Sequence, residues 1–232
     1  MSAVAVNSTL SRGVFFYRTT LGKKAVMAVT GLVLFGFVIT HMGANLLYFA
    51  GPDALNGYAL KLRDVPPLLW GVRALLFVSV VLHIVASVQL ARIQAAARPV
   101  GYIRKRNVGS TYAARTMMWS GPIIAAFLIY HLMHLTLGVG GLPFEHLRPY
   151  ENLVAGFSNP AVSIAYIVAM TLLGMHLYHG VWSMFQTMGV AHPRYTPKLK
   201  FLAKAVTVLI VLGFISVPIA IMLGLSQEST LL

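Results

Sequence analysis

Long apolar stretches alternate with short polar segments along the whole chain. They extend over residues 25–49, 68–91, 117–139, 161–185 and 201–225. Each reaches the roughly 20 residues that a helix needs to cross a bilayer core. The pattern predicts an all-α integral membrane bundle of five transmembrane helices, forming a single domain over residues 1–232. The first stretch is longer than a signal-peptide core and no convincing cleavage site follows it, so we interpret it as a retained span.

Composition supports the membrane class and narrows the chemistry. The chain is 58% hydrophobic and 10% charged, which is unusual for a soluble domain of this size. Cysteine is absent, which excludes disulfides, thiolate-ligated iron–sulfur clusters and covalent c-type haem attachment. Any redox cofactor in this chain must therefore be held by other side chains.

The charges are distributed unequally between the two predicted sides. Fourteen of the 18 Lys and Arg residues lie on one side: they precede the first span, lie between spans two and three or four and five, or, as Lys204, lie in the first turn of span five. All five acidic residues lie on the other side. The positive-inside rule then predicts a cytoplasmic N-terminus and a C-terminus outside. The net charge of +13 is explained by topology and anionic lipid, so we expect no nucleic-acid partner.

Two connecting segments carry further predictions. The basic segment 92–116 is long for a link, and either serves topology and lipid contact alone or docks a soluble partner through Arg104, Lys105 and Arg106. On the opposite side, residues 51–67 predict a short helix at the membrane interface, with Asp53 as its cap.

Histidines inside the spans are the strongest functional signal. Polar side chains in hydrocarbon are costly and usually pair, bind a ligand or coordinate a metal. At about 1.5 Å rise per residue, His41 and His131 lie about 4–6 Å outward of the midpoints of spans one and three. His83 and His176 lie about 3–5 Å inward in spans two and four. Four helices thus offer two histidine pairs at two depths, as two stacked bis-imidazole haems require.

A repeated spacing supports this pairing. Thr30-Gly31 precedes His41 by ten residues from the glycine, and Ser120-Gly121 precedes His131 by the same ten. Glycine lets a flat macrocycle or another helix approach the backbone closely. Further glycines that could serve either purpose are Gly36, Gly43, Gly174 and Gly180.

Two more histidines leave the ligand assignment open. His134 and His179 each follow a candidate ligand by three residues and so lie near the same helix face. Either could be the true ligand, contact a haem propionate or quinone carbonyl, or have a purely structural role. A helix-to-helix hydrogen bond is the commoner role for a lone membrane histidine.

Five segments follow one another along the chain in a recognisable order: residues 22–31, His41 with Asn45, residues 51–56, residues 130–134 and residues 176–189. With these segments in this order, the sequence resembles the cytochrome b membrane-anchor subunit of succinate:quinone oxidoreductases and quinol:fumarate reductases, of the single-chain, five-helix, dihaem type. The family pattern implies one axial ligand on each of the first four helices. Its fourth ligand is followed by glycine at the fourth and thirteenth positions, which selects His176, with Gly180 and Gly189.

The resemblance implies which histidines share a haem and what the chain does. His41 and His131 would hold the outer haem b, and His83 and His176 the inner one, nearer the soluble subunits. Succinate would be oxidised at a separate flavoprotein subunit, and electrons would pass through an iron–sulfur subunit on the cytoplasmic face to the two haems and then to menaquinone. The chain would lie in a bacterial-type cytoplasmic (inner) membrane, perform no succinate chemistry and contain no catalytic residue, within a complex that can form a higher oligomer.

Quinone reduction needs a nearby redox centre, hydrogen-bonding groups and a supply of protons. At the outer level the candidates for quinone contact are Asn45, Tyr48 and Asp64, with Arg73 for a haem propionate. At the inner level the candidates are His179, Trp182 and Ser183. We favour the outer level, because electrons need two haems only if they cross the membrane. The spans carry no carboxylate, so a proton path through a buried Glu has no evident carrier.

Two other functions fit the same residues less closely. One is the dihaem cytochrome b subunit of another quinone-linked oxidoreductase, such as a hydrogenase or formate dehydrogenase. The other is a membrane carrier without haem that uses histidines as proton relays.

Overall fold

The computed structural model describes residues 12–100, 103, 110–139 and 141–226, and within these residues the chain forms helices and no strand. The helices are α1 (residues 12–18), α2 (Thr20–Asn45), α3 (Pro52–Arg63), α4 (Pro66–Ala96), α5 (Tyr112–Leu135), α6 (Pro149–Phe157), α7 (Pro160–Thr187) and α8 (Thr196–Met222). A 3₁₀ helix, Leu46–Ala50, follows α2. In this part of the chain five helices, α2, α4, α5, α7 and α8, are long and apolar enough to span a membrane. The five-helix prediction is confirmed, and the chain is a multi-pass membrane protein.

The helix boundaries differ from the predicted spans for local reasons. Helices α4 and α7 begin on Pro66 and Pro160, ahead of the predicted starts at residues 68 and 161. Proline suits the first helical turn because its missing N–H has no intrahelical partner there. Helix α5 ends at Leu135, four residues before the predicted end, and the chain then turns through Gly138, whose φ is +64°.

The beginning of α2 explains part of the segment 22–31. A Cβ on Gly22 would overlap the carbonyl of Phe16, so only glycine fits beside α1. The buried Lys23 ammonium donates hydrogen bonds to the carbonyls of Tyr17 at 3.0 Å and Arg18 at 2.9 Å. These carbonyls at the end of α1 lack intrahelical partners, so Lys23 both satisfies them and fixes α1 against α2.

The spanning helices pack as a row of neighbours. Helix α4 packs against α2, α2 against α7, and α7 against α5, while α8 lies against both α2 and α7. The closely packed pairs do not include α2 with α5, or α4 with α7. In the order α4, α2, α7, α5, one helix separates the members of each of these two pairs: α7 lies between α2 and α5, and α2 lies between α4 and α7.

Helices α3 and α6 cover the end of the bundle where α2, α5 and α8 finish, which we call the cap end; the opposite end is the basic end. Buried aromatic and aliphatic side chains from both helices form a hydrophobic cluster here with residues of α7 and α8. The Asn56 amide donates to Glu151 at 2.9 Å and accepts the Tyr150 N–H at 3.0 Å, which joins α3 to α6. The cap end is the side predicted to lie outside.

Two details at the cap end differ from the sequence predictions. The predicted interfacial helix is present as α3, but Asp53 is not its cap. Gly51 is the N-cap, with φ +98°, and Pro52 follows as the first helical residue. Asp53 lies in the first turn, where a carboxylate favours the positive end of the helix dipole. Helix α6 was not predicted.

Candidate functional site

His41 and His131, which we call the outer pair, face each other near the cap end. His41 lies on α2 and His131 on α5, and their ring centroids are 5.8 Å apart with planes at 81°. Three phenylalanines surround them. Phe37 stacks on His41 at 5.2 Å, Phe127 on His131 at 6.0 Å, and Phe214 of α8 lies 5.8 Å from His41. The outer pair therefore sits in a largely aromatic environment.

His83 and His176, the inner pair, face each other across α4 and α7, with ring centroids 6.4 Å apart and planes at 57°. The Thr30 hydroxyl lies 3.2 Å from His83 Nδ1 and 2.7 Å from the Val26 carbonyl. Because the hydroxyl donates its proton to that carbonyl, it accepts the His83 Nδ1–H. This fixes the tautomer of His83 and leaves a lone pair on Nε2, as in a metal-ligating histidine.

The two pairs lie at different depths along the bundle. His83 contacts Thr30 of α2, and a Cβ on Gly31 would lie 3.3 Å from the His83 ring. His41 follows Thr30 by eleven residues on the same helix, which corresponds to about 16 Å. The inner and outer pairs are thus separated by about 16 Å along α2, with the outer pair nearer the cap end.

The centroid separation in both pairs matches that of two imidazoles that share one metal ion. A first-row metal bonds an imidazole nitrogen at about 2 Å, and the ring centre lies about 1 Å behind that nitrogen, so a metal shared by two opposed rings separates their centroids by about 6 Å. Among the described residues, no group of three or more His, Cys, Asp or Glu side chains could hold a metal ion. Two histidines suffice only for a metal whose other ligands come from elsewhere, as the porphyrin supplies them in haem.

The backbone of the helices that carry the pairs also leaves open space. The paired helices, α2 with α5 and α4 with α7, are not in close backbone contact. A Cβ built on Gly36, Gly43, Gly121 or Gly180 would meet no atom within 4 Å. Gly174 differs, because its Cβ would lie 2.5 Å from Val211 Cγ2 of α8. Gly174 therefore serves helix packing, and the residues at the two histidine pairs fit haem b.

His134 lies close to His131 but does not face His41. It is buried, its Nδ1 is 2.9 Å from the Tyr166 hydroxyl, and its ring lies against Gly156 of α6, where a Cβ would come within 2.6 Å. The same hydroxyl lies 3.5 Å from His131 Nδ1. A tyrosine hydroxyl can donate to one ring and accept from the other. Tyr166 can thus orient His131 toward His41, while His134 packs against α6 at the cap end.

The candidates near the basic end are partly engaged in packing. His179 is half-buried, one turn beyond His176 on α7. Trp182 is buried, with the Lys200 ammonium of α8 4.7 Å from its ring centroid. The Ser183 hydroxyl donates to the Gly180 carbonyl of its own helix at 3.1 Å. These contacts engage Trp182 in packing against α8 and Ser183 in a hydrogen bond within α7.

The candidates near the cap end are placed differently from one another. The Asn45 amide donates to the His41 carbonyl at 2.7 Å, and the Tyr48 hydroxyl donates to the Leu225 carbonyl at 2.7 Å. Asp64 is exposed at the end of α3. The Arg73 guanidinium lies 4.9 Å from the ring centroid of its exposed neighbour Trp70. The structure thus brings neither Asp64 nor Arg73 to the histidine pairs through any of these contacts.

A cavity of about 390 Å³ opens at the cap end. It is lined by Tyr48, Phe49, Tyr150, Gly224, Leu225 and Ser226. Tyr48 follows His41 by seven residues, so the cavity begins about 10 Å further toward the cap end. It is a half-open cleft whose lining combines the rings of Tyr48, Phe49 and Tyr150 with a few polar groups.

Sequence reasoning missed four aromatic residues around the outer pair: Phe37, Phe127, Tyr166 and Phe214. The phenylalanines gave no signal, because aromatic residues are common in any membrane span. Tyr166 did give a sequence signal, since a tyrosine inside an apolar span usually needs a hydrogen-bond partner for its hydroxyl. Its partners, however, lie 32 and 35 residues away in the sequence.

A scan against protein-family models, a search of curated proteins and a search of solved structures each returned no match to this chain.

Proposed function

We propose that this chain is the dihaem cytochrome b membrane-anchor subunit of a succinate:quinone oxidoreductase, passing electrons from an iron–sulfur subunit to menaquinone in a bacterial-type cytoplasmic membrane. The observation that carries the proposal is the pairing of four histidines from four helices into two sets. The ring centroids are 5.8 Å apart in the outer pair and 6.4 Å apart in the inner pair. Histidines that only form hydrogen bonds between helices would not have to lie in facing pairs at two depths.

The chain's own residues would position and insulate two redox centres. Haem b, when bound, supplies one-electron transfer at each level. His41 and His131 would hold one iron and His83 and His176 the other. Thr30 keeps the His83 Nδ1 protonated and so directs Nε2 toward His176. The phenylalanines around the outer pair exclude water, which helps to set the redox potential.

Sequence features support the succinate-specific part of the proposal. They are the resemblance along all five spans and the basic segment that would dock an iron–sulfur subunit. Arg104, Lys105 and Arg106 of that segment lie outside the described residues. Interface charges of this kind steer association more than they fix affinity.

Purification of the tagged chain from its native membrane tests this assignment. We expect a flavoprotein and an iron–sulfur subunit to co-purify, and succinate to reduce the b-type haem of the complex. Co-purification of hydrogenase or formate dehydrogenase subunits would instead support the other dihaem function. A chain that carries no haem would favour the histidine-relay carrier.

The cap-end cavity supports placing quinone reduction near the outer pair. It lies beyond His41 on the side away from the predicted docking face, and Tyr48 and Tyr150 bring aromatic surface to it. A quinone there would accept electrons through the outer pair and protons from the nearby membrane surface. Asn45 would act indirectly, because its amide already holds the carbonyl of His41.

Filling this cavity should block the quinone while sparing both haems. We expect Leu225→Trp to lower quinone turnover at least about tenfold, equivalent to about 1.4 kcal/mol of lost binding. Succinate should still reduce both haems, because the Leu225 backbone carbonyl that holds Tyr48 is retained. The measurement is succinate-driven quinone reduction compared with haem reduction in the same sample.

Leu223→Trp is the matched control, because Leu223 is also exposed near the end of α8 but does not line the cavity. It should leave turnover unchanged. Normal turnover in Leu225→Trp, combined with a loss in His179→Leu or Ser183→Ala, would move the quinone site to the basic end.

A further inference from the structure

Two buried polar atoms near the inner pair have no hydrogen-bond partner among the described residues. They are Nδ1 of His176 on α7 and Oγ of Ser120 on α5. Ser120 is only 1% exposed. A buried polar group without a partner is costly and calls for an explanation. His83, which faces His176, does have a partner for its Nδ1, the hydroxyl of Thr30.

The helix register places Ser120 and His176 at the same depth. Helices α5 and α7 are packed neighbours, and His131 of α5 meets Tyr166 of α7 at 3.5 Å. From that contact, His176 lies ten residues along α7 and Ser120 eleven residues back along α5. These separations correspond to about 15 Å and about 16 Å toward the basic end. The two unpartnered atoms therefore lie at one level of two adjacent helices.

The same relation already exists in the first half of the chain. Thr30 lies eleven residues before His41 on α2 and binds His83 on the neighbouring helix α4. Ser120 lies eleven residues before His131 on α5, and His176 is on the neighbouring helix α7. Each hydroxyl residue is followed by a glycine. The pairs α2–α4 and α5–α7 thus share one sequence spacing, in which a helix with an outer histidine carries a hydroxyl residue eleven positions before it.

We propose, resting on the proposed function, that Ser120 is the positioning residue of His176: in the haem-loaded chain its hydroxyl would accept the His176 Nδ1–H, as Thr30 does for His83. The bond would fix the tautomer with Nε2 free and directed toward His83. It would also make the imidazole a stronger electron donor to a bound iron. Each ligand of the inner haem would then have one hydroxyl partner.

A second unpartnered hydroxyl, Thr207 on α8, is the competing candidate. Its Cγ2 would lie 3.7 Å from a Cβ on Gly174. Gly174 precedes His176 by two residues, so the two point to roughly opposite sides of α7 at about 100° per residue. Thr207 therefore packs on the face of α7 away from the His176 ring, which favours Ser120.

The test compares three variants in the haem-loaded chain. In Ser120→Ala we expect the inner haem, identified as the component missing from His83→Ala, to dissociate at least about tenfold more readily. Its midpoint potential should rise, because a ligand that donates less electron density stabilises ferric iron less. The outer haem should not change. Ser120→Thr should keep both properties at their wild-type values, since a threonine hydroxyl is the partner of His83 at position 30. Thr207→Val should leave both properties unchanged.

The outcomes separate this inference from the proposed function. A wild-type chain without haem would overturn the proposed function and this inference with it. A wild-type chain with two haems, whose inner haem is unchanged in Ser120→Ala or altered only in Thr207→Val, would overturn the assignment of Ser120 alone. If Ser120→Ala fails to assemble, Ser120→Cys takes its place, because a thiol of similar size is a weaker hydrogen-bond partner. A raised inner-haem potential in Ser120→Cys supports the bond, and an unchanged potential contradicts it.

Discussion

Replacing His41 or His131 by alanine should remove the same haem, and replacing His83 or His176 should remove the other. Each variant is expected to retain one haem in place of two, because a pair that lacks one imidazole offers a single axial ligand. The separation of about 16 Å between the pairs leaves the remaining site intact. Low-temperature absorption spectra and haem-to-protein ratios of the purified variants measure both the loss and its identity.

His134→Ala and His179→Ala are the matched controls within the same helices. Both haems should stay bound, because His134 packs against Gly156 and Tyr166, and His179 lies a turn beyond the inner pair. If His41→Ala and His83→Ala abolish the same spectral component, the pairing is wrong. Loss of a haem in either control would move the ligand assignment by three residues.

Gly174→Ala should have the second large effect, by separating α7 from α8. The added methyl group would come within 2.5 Å of Val211 Cγ2, and neither backbone nor valine can yield easily. Overpacking of this kind costs about 1–3 kcal/mol of stability. Because His176 lies two residues away, inner-haem retention should fall as well. Thermal denaturation in detergent, followed by haem absorbance, measures both.

A double variant makes this prediction specific to the α7–α8 contact. Adding Val211→Ala to Gly174→Ala should recover most of the lost stability, since the two side chains touch and their effects are not additive. Gly71→Ala, at a helical position with no neighbour within 4 Å of the added atom, should be close to neutral. A Gly174→Ala chain as stable as the parent would show that the two helices have freedom to move apart.

The spans could be predicted from the sequence because membrane crossing depends on a local property, the length of an apolar stretch. Depth along a helix is equally local, and it led to the grouping of His41 with His131. Helix α6 was missed because its nine residues give too few turns for a clear pattern, and its stability comes from contacts such as Tyr150 with Tyr48. Helix order around the bundle is a property of packing between distant segments, which periodicity does not encode.

For individual polar residues too, local features could be predicted from the sequence, whereas contacts between distant segments could not. Six histidines in hydrocarbon were evident, but the distinction between His131 and His134 depends on Gly156, a contact made by a helix that the sequence did not reveal. The position of Thr30 was noted for its glycine neighbour, whereas its hydrogen bond to His83 required the structure. The predicted contact of Arg73 with a propionate remains a prediction, since the guanidinium lies over Trp70.

The central claim is that four histidines on four helices hold two haems, and a reduced-minus-oxidised absorption spectrum of the purified chain, with haem quantified per protein, tests it most directly. We predict a b-type band and two haems for each chain, with two spectrally or potentiometrically distinct components. A chain purified from haem-sufficient membranes with no b-type band would contradict the account.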